Sequence, residues 1–373
     1  MLYKLKDIFD LQMGKTPSRN NIEYWNTNDY KWVSIADLTK TDKYIYDTKE
    51  YLSKKAVNES GIKIIPANTV IMSFKLSIGK TAITAEDMYS NEAIMAFHDK
   101  HIVEILPEYI FYLFKYKNWD DGSNKAVMGK TLNKAILSEV EIDICSIEEQ
   151  RKIVNVLDKI MNLISARKKE LSYLDTFTKA RFVEMFGDPV INSKNLPVVT
   201  LGELSELITK GASPCWQGFS YTDDSSQTLF ITSENIREGY IDLSSPKYIE
   251  DGFNEKQRRS VIRKGDFLIN IVGASIGRAA QFNLDCKANM NQAAALVRVK
   301  DNRIKNKYLL IYLNSDRAKR MYDSMKSDTG RANLSLQDIS DLNILLPAVD
   351  KQIEFENFVA QVDKSKLQKF SAA

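Results

Sequence analysis

Histidine is nearly missing from this chain: His98 and His101 are the only two in 373 residues. Ser/His or Cys/His nucleophilic catalysis cannot be assembled from so little. The run His98-Asp99-Lys100-His101 also lacks the Glu and the downstream ligand of a zinc-binding helix, so it reads as a solvated loop. Cysteine is as sparse. Cys145, Cys215 and Cys286 lie far apart with no CxxC or Cys/His spacing, which suits packing residues in a reducing cytoplasm better than a disulfide framework. No two of the 15 glycines stand as Gly-x-Gly, which removes the cofactor turn of a methyltransferase, and no proline follows another, which removes the Asn/Asp-Pro-Pro-aromatic pattern of amino-methyltransferases. A P-loop is absent too, and with it ATP-driven translocation by this chain. No apolar run approaches the roughly 18 residues of a membrane span, and the opening stretch from Met1 to Lys15 has no signal-peptide core. The net charge of +3 does not by itself point to a polyanion, so charge has to be read region by region.

What is present is a duplication. Sliding the chain by 202 positions lays Leu132–Ile153 over Leu334–Phe355 without a gap, so that Leu137, Val140, Ile142, Ile144, Ile147, Glu148 and Gln150 fall on Ile339, Leu342, Ile344, Leu346, Val349, Asp350 and Gln352. Each copy ends by entering a helix. The central one is long: from Ile147 to Phe186 there is no Pro or Gly, and a 3-4 alternation runs through Ile153, Leu157, Ile160, Ile164, Arg167, Leu171, Leu174, Thr178, Arg181 and Met185. At 1.5 Å per residue that is a rod of roughly 60 Å. A stripe of that length needs a partner helix, and the stretch from Val349, with Val359 and Val362, is expected to pack antiparallel against it as a coiled coil. Gly187-Asp188-Pro189 stops the central helix.

The two copies also agree upstream. Leu5–Leu11 delivers a polar turn, Gly14-Lys15-Thr16-Pro17-Ser18-Arg19, and Leu201–Ile208 delivers Lys210-Gly211-Ala212-Ser213-Pro214. Strand-like runs follow at Trp32–Ile35 and Leu229–Thr232, then paired β runs at Ile64–Ile83 and Val261–Ala280, each interrupted by Ser-Ile-Gly-Lys/Arg. Asn91-Glu92-Ala93 and Asn291-Gln292-Ala293 head a further strand, and Tyr109–Tyr116 and Tyr308–Leu313 open a packed helix. The fold class is α+β: two duplicated domains, each a mixed, curved sheet with helices, separated by long antiparallel coiled-coil helices. The boundaries fall at 1–146, 147–187, 188–348 and 349–373.

With no catalytic constellation in view, the chemistry rests on polar, basic and aromatic loop residues. The first copy offers Lys15, Thr16, Ser18, Arg19, Lys75, Lys80, Lys125 and Lys130; the second offers Lys210, Ser213, Trp216, Gln217, Tyr221, Arg258, Arg259, Arg278 and Arg331. Such side chains neutralise phosphates and supply the donors and acceptors that read base edges. Each has a plainer reading. Arg258-Arg259 with Arg263-Lys264 also fits a solvated turn, Ser77-Ile78-Gly79 and Ser275-Ile276-Gly277 fit structural turns, and Asn91 and Asn291 fit caps of a strand turn. Asp47-Thr48-Lys49 and Asp285-Cys286-Lys287 have the acid-x-Lys spacing of nucleases but no evident partner acid.

Taken together, Gly129-Lys130-Thr131-Leu132-Asn133 running into Ile147-Glu148-Glu149-Gln150-Arg151-Lys152-Ile153, the helix exit Phe182-Val183-Glu184-Met185-Phe186-Gly187-Asp188, and the whole-chain duplication resemble the specificity subunit of type I restriction-modification systems. The resemblance implies a chain without catalysis of its own, whose two target recognition domains each read half of a split, asymmetric double-stranded DNA site. It implies that the helices, through Ile153, Leu157, Ile160, Ile164, Leu171, Leu174, Val359 and Val362, form a spacer and a docking surface for two methyltransferase (modification) subunits. Those use S-adenosylmethionine, and restriction subunits with motor and nuclease, using ATP and magnesium, can join them. No cofactor, metal or membrane is expected for this chain, and its place is the cytoplasm. One departure is that Ala373 falls on Leu171, so Ser172–Gly187 has no counterpart; a shortened second helix or asymmetric docking is the expectation. The alternative reading is a non-catalytic protein-binding adaptor with a coiled-coil spacer.

Overall fold

The computed structural model describes residues 1–25, 27–75, 77–119, 132–188, 190–325 and 333–370. The chain divides into two compact units, Met1–Arg167 and Lys168–Ala373, so the central helix contributes to both.

In the first unit a five-stranded sheet has the order Phe9–Met13, Ile94–Asp99, Val70–Ser73, Thr81–Thr84, Tyr44–Ile45, antiparallel except at its last pair. A three-stranded sheet sets Tyr30–Val33 between Glu50–Leu52 and Tyr89–Ser90, and Leu2–Lys4 pairs with Glu141–Asp143. The strands are apolar on both faces because both are covered. Val70, Met72, Met95 and Phe97 pack with the helix Pro107–Tyr116, while the alternate residues Ile71, Ala82, Ile94 and Ala96 pack with Val33, Leu38 and Ile65.

The second unit repeats the plan. One sheet runs Ser205–Lys210, Ala294–Val299, Phe267–Asn270, Ala279–Gln281; another runs Tyr221–Thr222, Tyr248–Ile249, Thr228–Ile231, Ala288–Met290; and Val198–Thr200 pairs with Asn343–Leu345. The expected strands, packed helices and duplication are thus present, with the strands of each unit shared among three sheets rather than one. No helix among the described residues is long and apolar enough to cross a membrane.

The central helix spans Ile147–Phe186. It opens on a reciprocal cap in which Glu149 N donates to Ser146 Oγ and Ser146 N donates to Glu149 Oε2. It closes on Gly187 at φ +80°, where Lys194 Nζ donates to the free carbonyls of Glu184 (2.7 Å) and Met185 (3.0 Å). Its first turns belong to the first unit: Val154, Leu157 and Met161 pack on that core, and Asp158 accepts from Lys43 Nζ at 2.6 Å and from Tyr112. Partial burial would raise the Asp158 carboxyl, but those two donors outweigh it and hold it below the usual range.

This corrects the expected stripe. Leu157 is not left for a partner; with Val154 and Met161 it is partly buried against the first unit's core, while Ile153, Ile160 and Ile164 sit beside that face and are exposed. Within the second unit, the central helix from Asp175 onward packs against the second long helix, Val349–Phe370. Asp175 with Lys366, Phe177 with Phe358, and Arg181 with Glu354 climb one helix as they descend the other, so the pair is antiparallel. Leu171 and Leu174 are half-buried, and Val359 and Val362 are buried. Phe182, Phe186, Phe355 and Tyr308 form the aromatic centre of that packing, with ring centroids 4.9–5.5 Å apart.

Each long helix is fastened to its unit by one wholly buried glutamine. Gln150 Oε1 accepts from Leu106 N, and its amide donates to the carbonyls of Glu104 and Cys145. Gln352 does the same with Lys305 N and the carbonyls of Arg303 and Pro347. Replacing either by leucine strands one buried donor and two acceptors, and a loss of about 2–4 kcal/mol is expected for the unit concerned. Denaturant unfolding followed by hydrogen exchange should show Gln352→Leu weakening the second unit and sparing Met1–Asp143, and Gln150→Leu the converse. Equal loss in both units would contradict the local role.

Candidate nucleic-acid interface

In both units three connecting segments are drawn together by backbone hydrogen bonds. In the first, Gly14 N donates to Ile94 O, Lys15 N to Ser90 O, Phe74 N to Ala93 O and Asn91 N to Val33 O. In the second, Ile271 N donates to Ala293 O and Asn291 N to Ile231 O, and a Cβ on Gly211 would stand 1.8 Å from Met290 O. Glycine is required at Gly14 and Gly211 by this close approach of two backbones. The Ser-Ile-Gly steps close the neighbouring hairpins, with Gly79 N bonded to Ser73 O and Gly277 N to Asn270 O. Asn91 and Asn291 each accept from the backbone N–H two residues on, at Ala93 and Ala293. These are structural turns that present the flanking side chains.

The first face ties two of its side chains to acids. Thr16 Oγ1 donates to Glu92, Lys15 Nζ donates to Ser60 O, and Arg19 grips Glu50 with both arms. The Arg19 guanidinium also lies 3.8 Å from the Trp25 ring centre, over a ring that meets Trp32 edge-on. Ser18 is exposed and its carbonyl accepts from Trp25 Nε1. Glu92, absent from the expected set, joins the others: the hydrogen bond from Thr16 lowers its carboxyl, partial burial opposes this, and Lys75 and Arg19 add to the lowering. Lys75 and Lys80 make no ion pair among the described residues, while Lys125 and Lys130 lie outside those residues.

The second face carries less acid. Gln292 stands where the first has Glu92. Lys210, Arg259 and Arg278 form no ion pair among the described residues, and Arg258 Nε donates to Glu255 O in the preceding short helix, Gly252–Lys256. Gln217 is tied down, its carbonyl accepting from Lys256 Nζ and its Oε1 from Gln257 Nε2. Ser213 precedes the short helix Pro214–Gln217 without capping it, and Tyr221, half-exposed, lays its ring edge on Phe230. Of the basic cluster, Lys264 is paired with Asp285, whereas Arg259 is open. Arg331 lies outside the described residues.

The nuclease-like triplets are spent structurally: Asp47 accepts from Tyr51 and Thr48 N, and Asp285 pairs with Lys264. Among the described residues no three His, Cys, Asp or Glu are placed to hold a metal ion. His98 corrects its expected loop position, since it lies in the strand Ile94–Asp99 with Nε2 buried and unpartnered. Its counterpart in the second unit's strand is Arg298, which holds the buried Asp266 through two bonds of 2.6 and 2.8 Å.

Because the folded-state pKa of Glu92 is depressed, its bond to Thr16 stabilises the loop above the ordinary glutamate range and is lost as pH falls through the lowered value. Thr16→Val should therefore move the Glu92 titration midpoint upward in a carboxyl-resolved NMR titration; an unmoved midpoint would reject the assigned contact.

The family model for the type I restriction modification DNA specificity domain matches residues 1–173 and again 194–369. The chain is 33% identical over 213 residues to the type I restriction enzyme MjaIX specificity subunit of Methanocaldococcus jannaschii, covering 56% of this chain and 48% of that one. It is 27% identical over 159 residues to the EcoR124I/EcoR124II specificity subunit of Escherichia coli, covering 41% and 39%. The alignments thus span about half the length of these curated relatives or less. A solved structure concerned with complex assembly and conformational transition of the type I R-M system matches all of this chain and 91% of its own at 18% identity, with a TM-score of 0.56, a likeness of fold. With both units matched, the chain belongs to the type I restriction modification DNA specificity domain family.

Proposed function

We propose that the chain is the DNA-reading subunit of a type I restriction-modification complex, each unit reading one half of a split, asymmetric double-stranded site. The observation that carries this is the duplicated three-segment face. One scaffold is built twice from the same glycines and asparagines, yet it presents Thr16, Arg19, Lys75 and Lys80 in one unit and Trp216, Arg259 and Arg278 in the other. Identical scaffolds with different donors and cations suit two different base sequences on one polyanion. Lys75, Lys80, Arg259 and Arg278, which form no ion pair among the described residues, are available to phosphate.

In this reading the chain binds no cofactor and catalyses nothing. Methylation, using S-adenosylmethionine, and ATP- and magnesium-dependent cleavage belong to two modification subunits and to restriction subunits. The central helix spaces the two readers, and its exposed residues Ile153, Val156, Ile160, Leu163 and Ile164 dock the modification subunits. An adaptor that binds only proteins is disfavoured by the cations of the duplicated face that form no ion pair among the described residues.

The test is an exchange. Residues 1–146 replaced by those of a relative, in a host that carries the modification subunit, should change one half of the methylated sequence and leave the other intact. Methylated-base mapping reads the result, and a change in both halves or in neither would reject two independent readers.

A further inference from the structure

Trp216 is 89% exposed, more than any other large apolar side chain among the described residues. It is not on a loose loop. The helix Pro214–Gln217 is closed by Gly218 at φ +83°, and Gln217 is held by Lys256 (2.9 Å) and Gln257 (3.1 Å). Behind it, Phe219, Phe253, Phe230 and Tyr221 form a chain of edge-on aromatic contacts 5.5–5.7 Å apart. The indole is therefore presented outward from a fixed base.

The first unit treats its aromatic residue the opposite way. After the equivalent polar turn, Trp25 lies under the Arg19 guanidinium and against Trp32, with its indole N–H bonded to Ser18 O. Among the described residues Trp216 has no such cover. Lys256, bonded to the carbonyl of the next residue, Gln217, lies beside it, and Arg258 and Arg259 follow Gln257 in the same stretch, all three exposed. A bare aromatic plane beside a row of cations matches a ligand that offers flat π-faces along a polyanion, which is nucleic acid. An apolar protein groove would satisfy the ring but not the cations.

We propose that Trp216 stacks on a DNA base, opening one base step within the half-site read by the second unit, while the adjacent cations hold the flanking phosphates. This rests on the DNA-reading function proposed above and deepens it. The first unit, whose indole is covered by Arg19, reads its half without such a step.

The test uses the full chain assembled with its modification subunit and a duplex carrying the methylated site found by mapping. The difference in tryptophan emission between wild type and Trp216→Phe isolates the Trp216 signal. On adding the duplex, that signal should be quenched and become shielded from acrylamide. Trp216→Ala should weaken binding roughly ten- to a hundredfold, the range of one lost base stack, while Trp216→Phe keeps most of the affinity. Unchanged circular dichroism and thermal midpoint confirm that the variants fold.

Equal affinity of wild type and Trp216→Ala, or an unquenched signal in the bound complex, overturns the stacking role while leaving the DNA-reading function intact. Shielding by the modification subunit before any DNA is added overturns it in favour of a protein contact. A complex that binds no duplex, in wild type as in the variants, defeats the DNA-reading function itself.

Discussion

The buried glutamine at the head of each long helix is the constraint on which the rest depends. Gln150 and Gln352 each bond three backbone groups with no exposure to water, and those groups come from the helix entry and from the segment leading into the packed helix at Pro107–Tyr116 or Asn306–Leu313. A side-chain amide with both ends satisfied fixes direction as well as distance. It sets how the helix leaves each unit, and the same geometry is used twice. Around it the packing follows: Tyr109 OH donates to Asp143 O and Tyr308 OH to Leu345 O, one strand further in. Burial pushes both phenols upward, Tyr109 to about 12, so they remain neutral donors at ordinary pH.

A fixed exit leaves the loops free to differ. Gly14 and Gly211 hold two backbones in contact, and the asparagine turns at Asn91 and Asn291 orient the next strand; nothing in that geometry specifies the side chains that project beyond it. The first face ties Arg19 to Glu50 and Thr16 to Glu92, while on the second Lys210, Arg259 and Arg278 form no ion pair among the described residues. The small net charge of the chain conceals that difference between the faces. Exposed pairs such as Arg19 with Glu50 are weak enough to exchange one acidic partner for another.

The duplication, the central helix to its last residue, the paired strands and the structural character of the Ser-Ile-Gly turns were legible in the sequence, because each is written in spacing. Which side of the central helix is covered was not. Ile153, Ile160 and Ile164 repeat as regularly as Val154, Leu157 and Met161, and only the position of the first unit's core decides between two stripes one residue apart. Arg19 and Thr16 were recognisable as loop residues, but their acidic partners Glu50 and Glu92 come from other parts of the chain, and no local pattern reveals that pairing. The bare indole of Trp216 depends on an absence of neighbours, which sequence does not record. Lys125, Lys130 and Arg331 fall outside the described residues.

If the central helix spaces two readers, its length is the variable that sets the interval between the half-sites. Seven residues inserted near Lys168 keep the apolar period and add roughly 10 Å, the rise of about three base pairs. DNA also turns by about 34° per pair, so the reading faces cannot simply follow the added length, and a matching insertion in the second helix is required. The most direct measurement is methylated-base mapping of that doubly extended, folded variant with its modification subunit. Unchanged half-sequences separated by a gap about one to three pairs longer are expected; an active variant that keeps the original gap would show that the helix does not set the interval.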